Sequence, residues 1–240
     1  MLDTHCHVDQ YPDPQAVIRE LDDTPLAAIA VTTTPSAFIR LQYRFPSERR
    51  LRLALGVHPL HAATLTEEAW RIFERYVPET RYIGEVGLDH SSQGYSIRDA
   101  QEKAFRRVLR AIDGRNKLVT IHSRRAEQAV LGLLNEFETG PVVFHWYSGP
   151  LKILDRLLEA GHYCSFNPAM VRSSKGQKVI GRVPKERVLV ETDGPYVQIG
   201  DRPAKPSDIG LVYRYLAGVW GRTMPGTVEQ VFENFLSLFG

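Results

Sequence analysis

The chain opens Met1-Leu2-Asp3-Thr4-His5-Cys6-His7, a run of strand length that begins apolar and ends in two histidines. Side chains alternate faces along a strand, so His5 and His7 point one way and Cys6 the other. Working outward, seven further strand-length apolar runs follow, at residues 27–32, 51–57, 82–87, 118–122, 142–145, 163–167 and 188–191. Each is succeeded by helical spacing or by turn residues, an alternation that predicts a parallel sheet with crossover helices. Helices are expected at 14–22, 36–45, 67–77, 96–114, 124–137, 150–159 and 176–182, with two more closing the chain at 206–220 and 228–239. Thr66, ahead of Glu67 and Glu68, and Thr227, ahead of Glu229, are the expected N-caps of their helices.

Eight βα units in roughly 250 residues are the count and size of a (β/α)8 barrel. The expectation is therefore an α/β fold, a single-domain TIM barrel over residues 1–240 with C-terminal helices, and a doubly wound open sheet is the alternative. No Pro/Ser/Gly-rich linker, low-complexity tract or internal repeat divides the 240 residues. The loop 195–208, with a glycine and three prolines after the last strand, is a candidate substrate loop.

With 43% hydrophobic and 24% charged residues, the chain can bury a full core. Thirty Lys and Arg against 28 Asp and Glu leave a formal charge of +2, which excludes a strongly basic nucleic-acid coat and a polyacidic tail. Apolar runs such as 26–31 fall far short of the roughly 20 residues of a membrane-spanning helix, so the expected compartment is the cytoplasm, with no membrane partner. Cys6 and Cys164, distant in the chain, make no disulfide framework and fit a reducing compartment.

Five polar clusters fall at the carboxyl ends of different predicted strands, where a barrel carries its active site. They are Asp3-Thr4-His5-Cys6-His7, Gly84-Glu85-Val86-Gly87-Leu88-Asp89, Ile121-His122-Ser123-Arg124, Phe144-His145-Trp146 and Glu191-Thr192-Asp193-Gly194-Pro195. Taken singly, His122 or His145 reads equally well as a satisfied core histidine, and a buried Glu85 would need a partner. Taken together, four imidazoles and two carboxylates arriving from five strands can surround divalent cations with nitrogen and oxygen donors.

These stretches, with Gly56-Val57-His58-Pro59, Thr120-Ile121-His122-Ser123-Arg124, Ser148-Gly149 and the terminal Asn234-Phe235 with Phe239, resemble the TatD-related hydrolases, metal-dependent deoxyribonucleases of the amidohydrolase superfamily. The resemblance spans the chain and keeps the family's order. It implies one or two divalent ions (Mg, Mn or Zn), with His5, His7 and Asp193 on the first, His122 and His145 on the second, and Glu85 bridging. Asp193 would also orient the attacking water and take its proton, so Asp193 and Glu85 are the candidate catalytic residues. His58, Arg124, Arg125 and Arg202 are candidate phosphate contacts. His90, Arg125 and Trp146 depart from the family pattern at the rim and bear on substrate range.

DNA binding would rest on a local basic rim of Arg124, Arg172, Lys175, Lys178 and Arg202, with Trp146, Tyr147, Phe166 or Tyr196 as stacking faces. A mouth that buries two metals cannot admit an intact duplex, which points to an exonuclease acting on single-stranded DNA or a frayed 3′ end. Thr-Ile-His-Ser-Arg-Arg-Ala and Glu-Thr-Asp-Gly-Pro resemble the TatD-type member of Qat antiphage defence cassettes, which implies an ATPase and a QueC-like protein as partners. Two alternatives stand beside the nuclease: a small-molecule amidohydrolase or lactonase using the same metals, and a binding subunit of a defence complex.

Overall fold

Val, Ile, Leu and Ala, the residues that suit a sheet buried on both faces, make eight strands: β1 (Leu2–Cys6), β2 (Ala27–Val31), β3 (Leu51–Val57), β4 (Tyr82–Gly87), β5 (Leu118–His122), β6 (Val143–His145), β7 (Tyr163–Phe166) and β8 (Val188–Val190). In the computed structural model, which describes residues 1–46 and 49–239, all neighbouring strands pair in parallel and in sequence order. Helices α1 (Pro14–Asp22), α2 (Pro35–Arg44), α3 (Glu67–Tyr76), α4 (Arg98–Ile112), α5 (Glu127–Leu134), α6 (Leu151–Glu159), α7 (Pro168–Arg172) and α8 (Ser174–Ile180) lie between or after the strands, and α9 (Gly210–Trp220) and α10 (Met224–Ser237) follow β8. This is a TIM barrel, with no open doubly wound sheet. Cys6 turns outward into the apolar layer under the helices, as the alternation requires, and Cys6 and Cys164 are both free thiols.

The barrel closes where β1 meets β8, and polar side chains make the seam. Thr4 Oγ1 donates to Val190 O at 2.9 Å, and Asp3 accepts from the Thr192 amide at 3.0 Å and its hydroxyl at 2.5 Å. Burial pushes the Asp3 carboxyl up to about 8 despite those bonds. Above them the Asp193 amide donates to His5 O at 2.9 Å and the His7 amide to Gly194 O at 2.8 Å. Gly194 also leaves room for the segment packed on it, since a Cβ there would stand 2.0 Å from Tyr11 Oη and 2.2 Å from Ala204 O.

Several boundaries differ from expectation. Thr66 caps α3 as expected, accepting from the Ala69 amide at 3.2 Å. The last helix starts earlier than its pattern suggested: Thr223 is the cap, Pro225 fits the first turn where no amide partner exists, and Thr227 is buried inside the helix. The expected helix 176–182 is α8, two residues earlier, and a short helix not expected from the sequence, α7, precedes it; Ser173 ends α7 and caps α8. The segment before Glu127 is a turn with Arg125 at φ +57°, so α5 begins three residues late. Within 195–208 a small hairpin, Gln198–Ile199 with Arg202–Pro203, is anchored by the Tyr11 hydroxyl on Ala204 O. No helix among the described residues is long and apolar enough to cross a membrane.

Candidate metal centre

The strand alternation that sends Cys6 outward sends His5 and His7 into the mouth, both buried, where Glu85 of β4 and Asp193 beyond β8 join them. His5 Nε2 lies 3.2 Å from His7 Nε2, 3.7 Å from Glu85 Oε2 and 3.5 Å from Asp193 Oδ1. His7 Nε2 lies 3.3 Å from Glu85 Oε2 and 3.5 Å from Asp193 Oδ1. A tetrahedral cation with ligands at about 2.1 Å keeps its donors roughly 3.4 Å apart, so His5, His7 and Asp193 have the spacing of one coordination shell, with Glu85 Oε2 beside the two histidines. Asp193 Oδ1 is also buried with no hydrogen-bond partner, a costly state for a carboxylate oxygen unless it faces a ligand. The loop holds it there at φ +48°, a left-handed conformation that costs a non-glycine residue about 1 kcal/mol or more.

The other carboxylate oxygen of Glu85 serves a second group. Oε1 lies 2.6 Å from His122 Nδ1, 2.6 Å from His145 Nε2 and 3.7 Å from His58 Nε2. His58, Glu85 and His122 together could hold a cation. Gly87, at φ +135°, lets β4 come this close to β5, because a Cβ there would stand 2.0 Å from His122 O. Burial raises the cost of the Glu85 charge, but the imidazoles of His145, His58 and His122 hold its carboxyl well below the usual range. Burial likewise opposes a charge on His7, yet Asp193 and Glu85 hold its imidazolium up to about 9, whereas burial keeps His58 neutral, down to about 3.

Around these side chains stands a layer of positioning groups. Thr120 Oγ1 is 3.1 Å from His5 Nδ1, and Asp89 Oδ2 is 2.9 Å from His122 Nε2, orienting each ring through its far nitrogen. Glu191 accepts from Asn167 Nδ2 at 3.2 Å, from the Trp146 amide at 3.0 Å and from the Ser165 hydroxyl, and stands 3.7 Å from His145 Nδ1. Asp89 and Glu191 belong to the two acidic motifs, but sequence reasoning gave them no role. Their positions four residues past Glu85 and two before Asp193 were the available signal.

The family model for TatD-related DNases matches residues 2–240. The chain belongs to that family. It is 28% identical over 265 residues to human deoxyribonuclease TATDN3, covering all of this chain and 94% of the relative. It is 26% identical over 254 residues to the Escherichia coli metal-dependent hydrolase YjjV, covering 99% and 97%. The crystal structure of E. coli YjjV superposes with a TM-score of 0.88 over 100% of this chain and 97% of that one, at 23% identity, a likeness of fold. An engineered organophosphate-hydrolysing lactonase template shares the barrel more loosely, with a TM-score of 0.62 at 14% identity. The TatD-type barrel described here is therefore an enzyme, a metal-dependent hydrolase.

Over the candidate metal centre the TatD-type barrel opens a cleft of about 570 Å³. Glu85, His122, His145 and Asp193 form the floor, and His58, Arg124, Trp146 and Tyr196 stand in the walls. Arg124 is exposed and forms no ion pair among the described residues. His61 and Gln93, singled out by no sequence argument, line the same cleft. Two expected phosphate contacts lie elsewhere. Arg202 is held bidentately by Asp208 at 2.7 and 2.8 Å on the hairpin, where that carboxylate already neutralises it. Arg125, turned by its positive φ, lines a neighbouring hollow. Of the stacking candidates, Tyr147 and Phe166 are buried in the core, and only Trp146 and Tyr196 reach the cleft. Arg172 of the basic rim donates to Gln198 O at 2.5 Å and so braces the hairpin.

Proposed function

We propose that this chain is a divalent-metal-dependent phosphodiesterase that removes nucleotides from the end of a DNA strand. The observation that carries the reading is the division of Glu85, one oxygen toward His5 and His7, which also face Asp193, and the other toward His122 and His145. In this reading these six residues hold one or two ions, with His58 beside the second. Bound there, divalent ions supply Lewis-acid polarisation of the phosphoryl oxygens and acidify water at neutral pH. Asp193, whose carboxylate takes no hydrogen bond from the described residues, would orient the attacking water and accept its proton. Arg124 and His58 hold the phosphate from one side, and Trp146 and Tyr196 offer aromatic faces to a base from the other.

DNA as substrate is supported by the likeness to the human deoxyribonuclease, and exonucleolytic action by a cleft of about 570 Å³, the size of a nucleotide rather than of a duplex. A frayed 3′ or single-stranded end is the proposed substrate. The test is digestion of a 5′-labelled single strand with Mg²⁺, Mn²⁺ or Zn²⁺, which should yield a ladder shortening stepwise from the 3′ end. Internal cuts, or no cleavage by protein with measured bound metal, would overturn the proposal. The antiphage role, in the cytoplasm with an ATPase and a QueC-like protein, rests on the motifs at 120–126 and 191–195. A cassette carrying Asp193→Asn should lose protection against phage; retained protection would remove hydrolysis from that role.

A further inference from the structure

The loops after β4, β5 and β6 line two neighbouring hollows. Gln93, Arg124 and Ser148 face the metal-centre cleft, while His90, Arg125, Glu127, Ala129, Pro150 and Ile153 line a second hollow of about 340 Å³. In each loop a residue of the cleft is followed within two positions by one of the hollow, Asp89 by His90, Arg124 by Arg125 and Ser148 by Pro150, so a ridge of loop backbone lies between the two. The His90 amide donates to Arg124 O at 2.9 Å and ties two of the loops into that ridge. Arg124 stands on the cleft side and Arg125, at φ +57°, on the other, so two adjacent guanidinium groups serve two adjacent cavities.

Three chemistries meet in the second hollow. Arg125 is exposed and forms no ion pair among the described residues. Ala129, Pro150 and Ile153 give an apolar wall. Glu127 is only 6% exposed, and its carboxyl packs on Gly149, where a Cβ would stand 2.6 Å from the carboxyl carbon. Burial raises its pKa while backbone amides at Arg125 and Glu127 oppose the rise, and its side chain lines the hollow as a hydrogen-bonding group. A cation, an apolar face and a buried hydrogen-bonding carboxyl are the needs of a phosphate, the face of a base and the edge of a base. Lys175, close enough for its charge to act on Glu127, continues the cationic path along the rim.

We propose that this hollow is a second nucleotide subsite, seating the nucleotide next to the one in the metal-centre cleft, with Arg125 on its phosphate, Pro150 and Ile153 against its base and Glu127 at the base edge. The inference rests on the phosphodiesterase reading and extends it from one nucleotide to two. The subsite makes the enzyme prefer strands of at least two nucleotides, because the second seat adds binding that a mononucleotide ester cannot use.

The test compares hydrolysis of the p-nitrophenyl phosphodiester of thymidine with that of the dinucleotide TpT, in the wild-type protein, Arg125→Ala and Ile153→Trp. Arg125 is a surface side chain whose removal leaves the core untouched, and Ile153→Trp fills the hollow. The ratio of kcat/KM for the dinucleotide to that for the mononucleotide ester, whose better leaving group sets its baseline equally in all three proteins, should fall about tenfold in both variants, mainly through KM. Hydrolysis of both substrates with a ratio that neither variant moves overturns the subsite and leaves the phosphodiesterase reading standing. Hydrolysis of neither substrate by metal-loaded wild type overturns that reading, and the subsite with it.

Discussion

The two ends of the barrel treat their buried polar groups in opposite ways. At the amino ends of the strands, Lys117 Nζ donates to Val77 O at 2.7 Å and Thr80 O at 2.5 Å, and Asn234 Nδ2 to Lys185 O at 2.6 Å and Val188 O at 2.8 Å. At the carboxyl ends lie all the buried side-chain atoms that lack a partner among the described residues: His7 Nδ1, Asp9 Oδ1, Ser91 Oγ, His145 Nδ1 and Asp193 Oδ1. The non-glycine residues at positive φ, Arg125, Trp146 and Asp193, are there too. Unpaired buried polar atoms and left-handed backbone each cost on the order of 1 to 3 kcal/mol. The amino end contributes stability, and the carboxyl end holds strained, unsatisfied groups that are aimed at a ligand.

Breaking the carboxyl end should produce the largest effect. Asp193→Asn should lower kcat about 10³-fold, within the range for removing a general base, while leaving Tm unchanged or higher, because the substitution removes an unpaired buried carboxylate. Saturating divalent ion should then raise Tm less in the variant than in the wild type, since an ion that binds only the folded state stabilises in proportion to its affinity. A variant that keeps its activity, or that unfolds, would place Asp193 with the structural polar groups of the other end.

The next effect belongs to the amino end and is read by pH. His162 is buried just before β7 and accepts from the Val142 amide through Nδ1 at 3.3 Å. Burial, with the charge of Arg187 adding to it, holds the imidazole down to about 4. The unfolded chain therefore binds a proton that the folded chain refuses between about pH 6.5 and 4, and stability rises with pH across that window. Acidification from pH 7 to 4 should cost roughly 3 kcal/mol through this one group. Urea unfolding at both pH values should show His162→Gln losing that part of the dependence; equal slopes in the two proteins would refute the assignment.

The smallest effect sharpens the comparison most. Lys117→Met leaves two buried carbonyls without their donor and should cost about 2 kcal/mol of stability, with kcat unchanged. A parallel fall in kcat in the folded variant would show that the two ends are coupled.

Much of the barrel was legible because strands buried on both faces must be written in short apolar runs, as at 118–122 and 188–191, and because parallel strands require a crossover between them. The junctions were harder to read. Thr227 resembles a cap as well as Thr223 does, and only the burial of its side chain and the fit of Pro225 in the first turn separate them. The histidines and acids of the candidate metal centre stood out because each lies at or near the carboxyl end of an apolar run, where inward-facing polar side chains have no place in a core. The arginines could not be sorted that way. Arg124, Arg125 and Arg202 are chemically alike, and their roles depend on one backbone angle and on an aspartate six residues away.

The local code of this protein, apolar periodicity interrupted by His5, His7, Glu85, His122, His145 and Asp193, determined the kind of fold and singled out the candidate donor groups, because both depend on alternation within a few residues. The tertiary structure alone decided that β1 and β8 meet through Asp3, Thr4 and Thr192, bringing His5 within 3.5 Å of Asp193 from the opposite end of the chain. It also decided that Glu85 faces two groups at once and that Arg124 and Arg125 part onto two sides of a ridge. Such convergence depends on the paths of loops and the closure of the barrel, which no short-range propensity specifies.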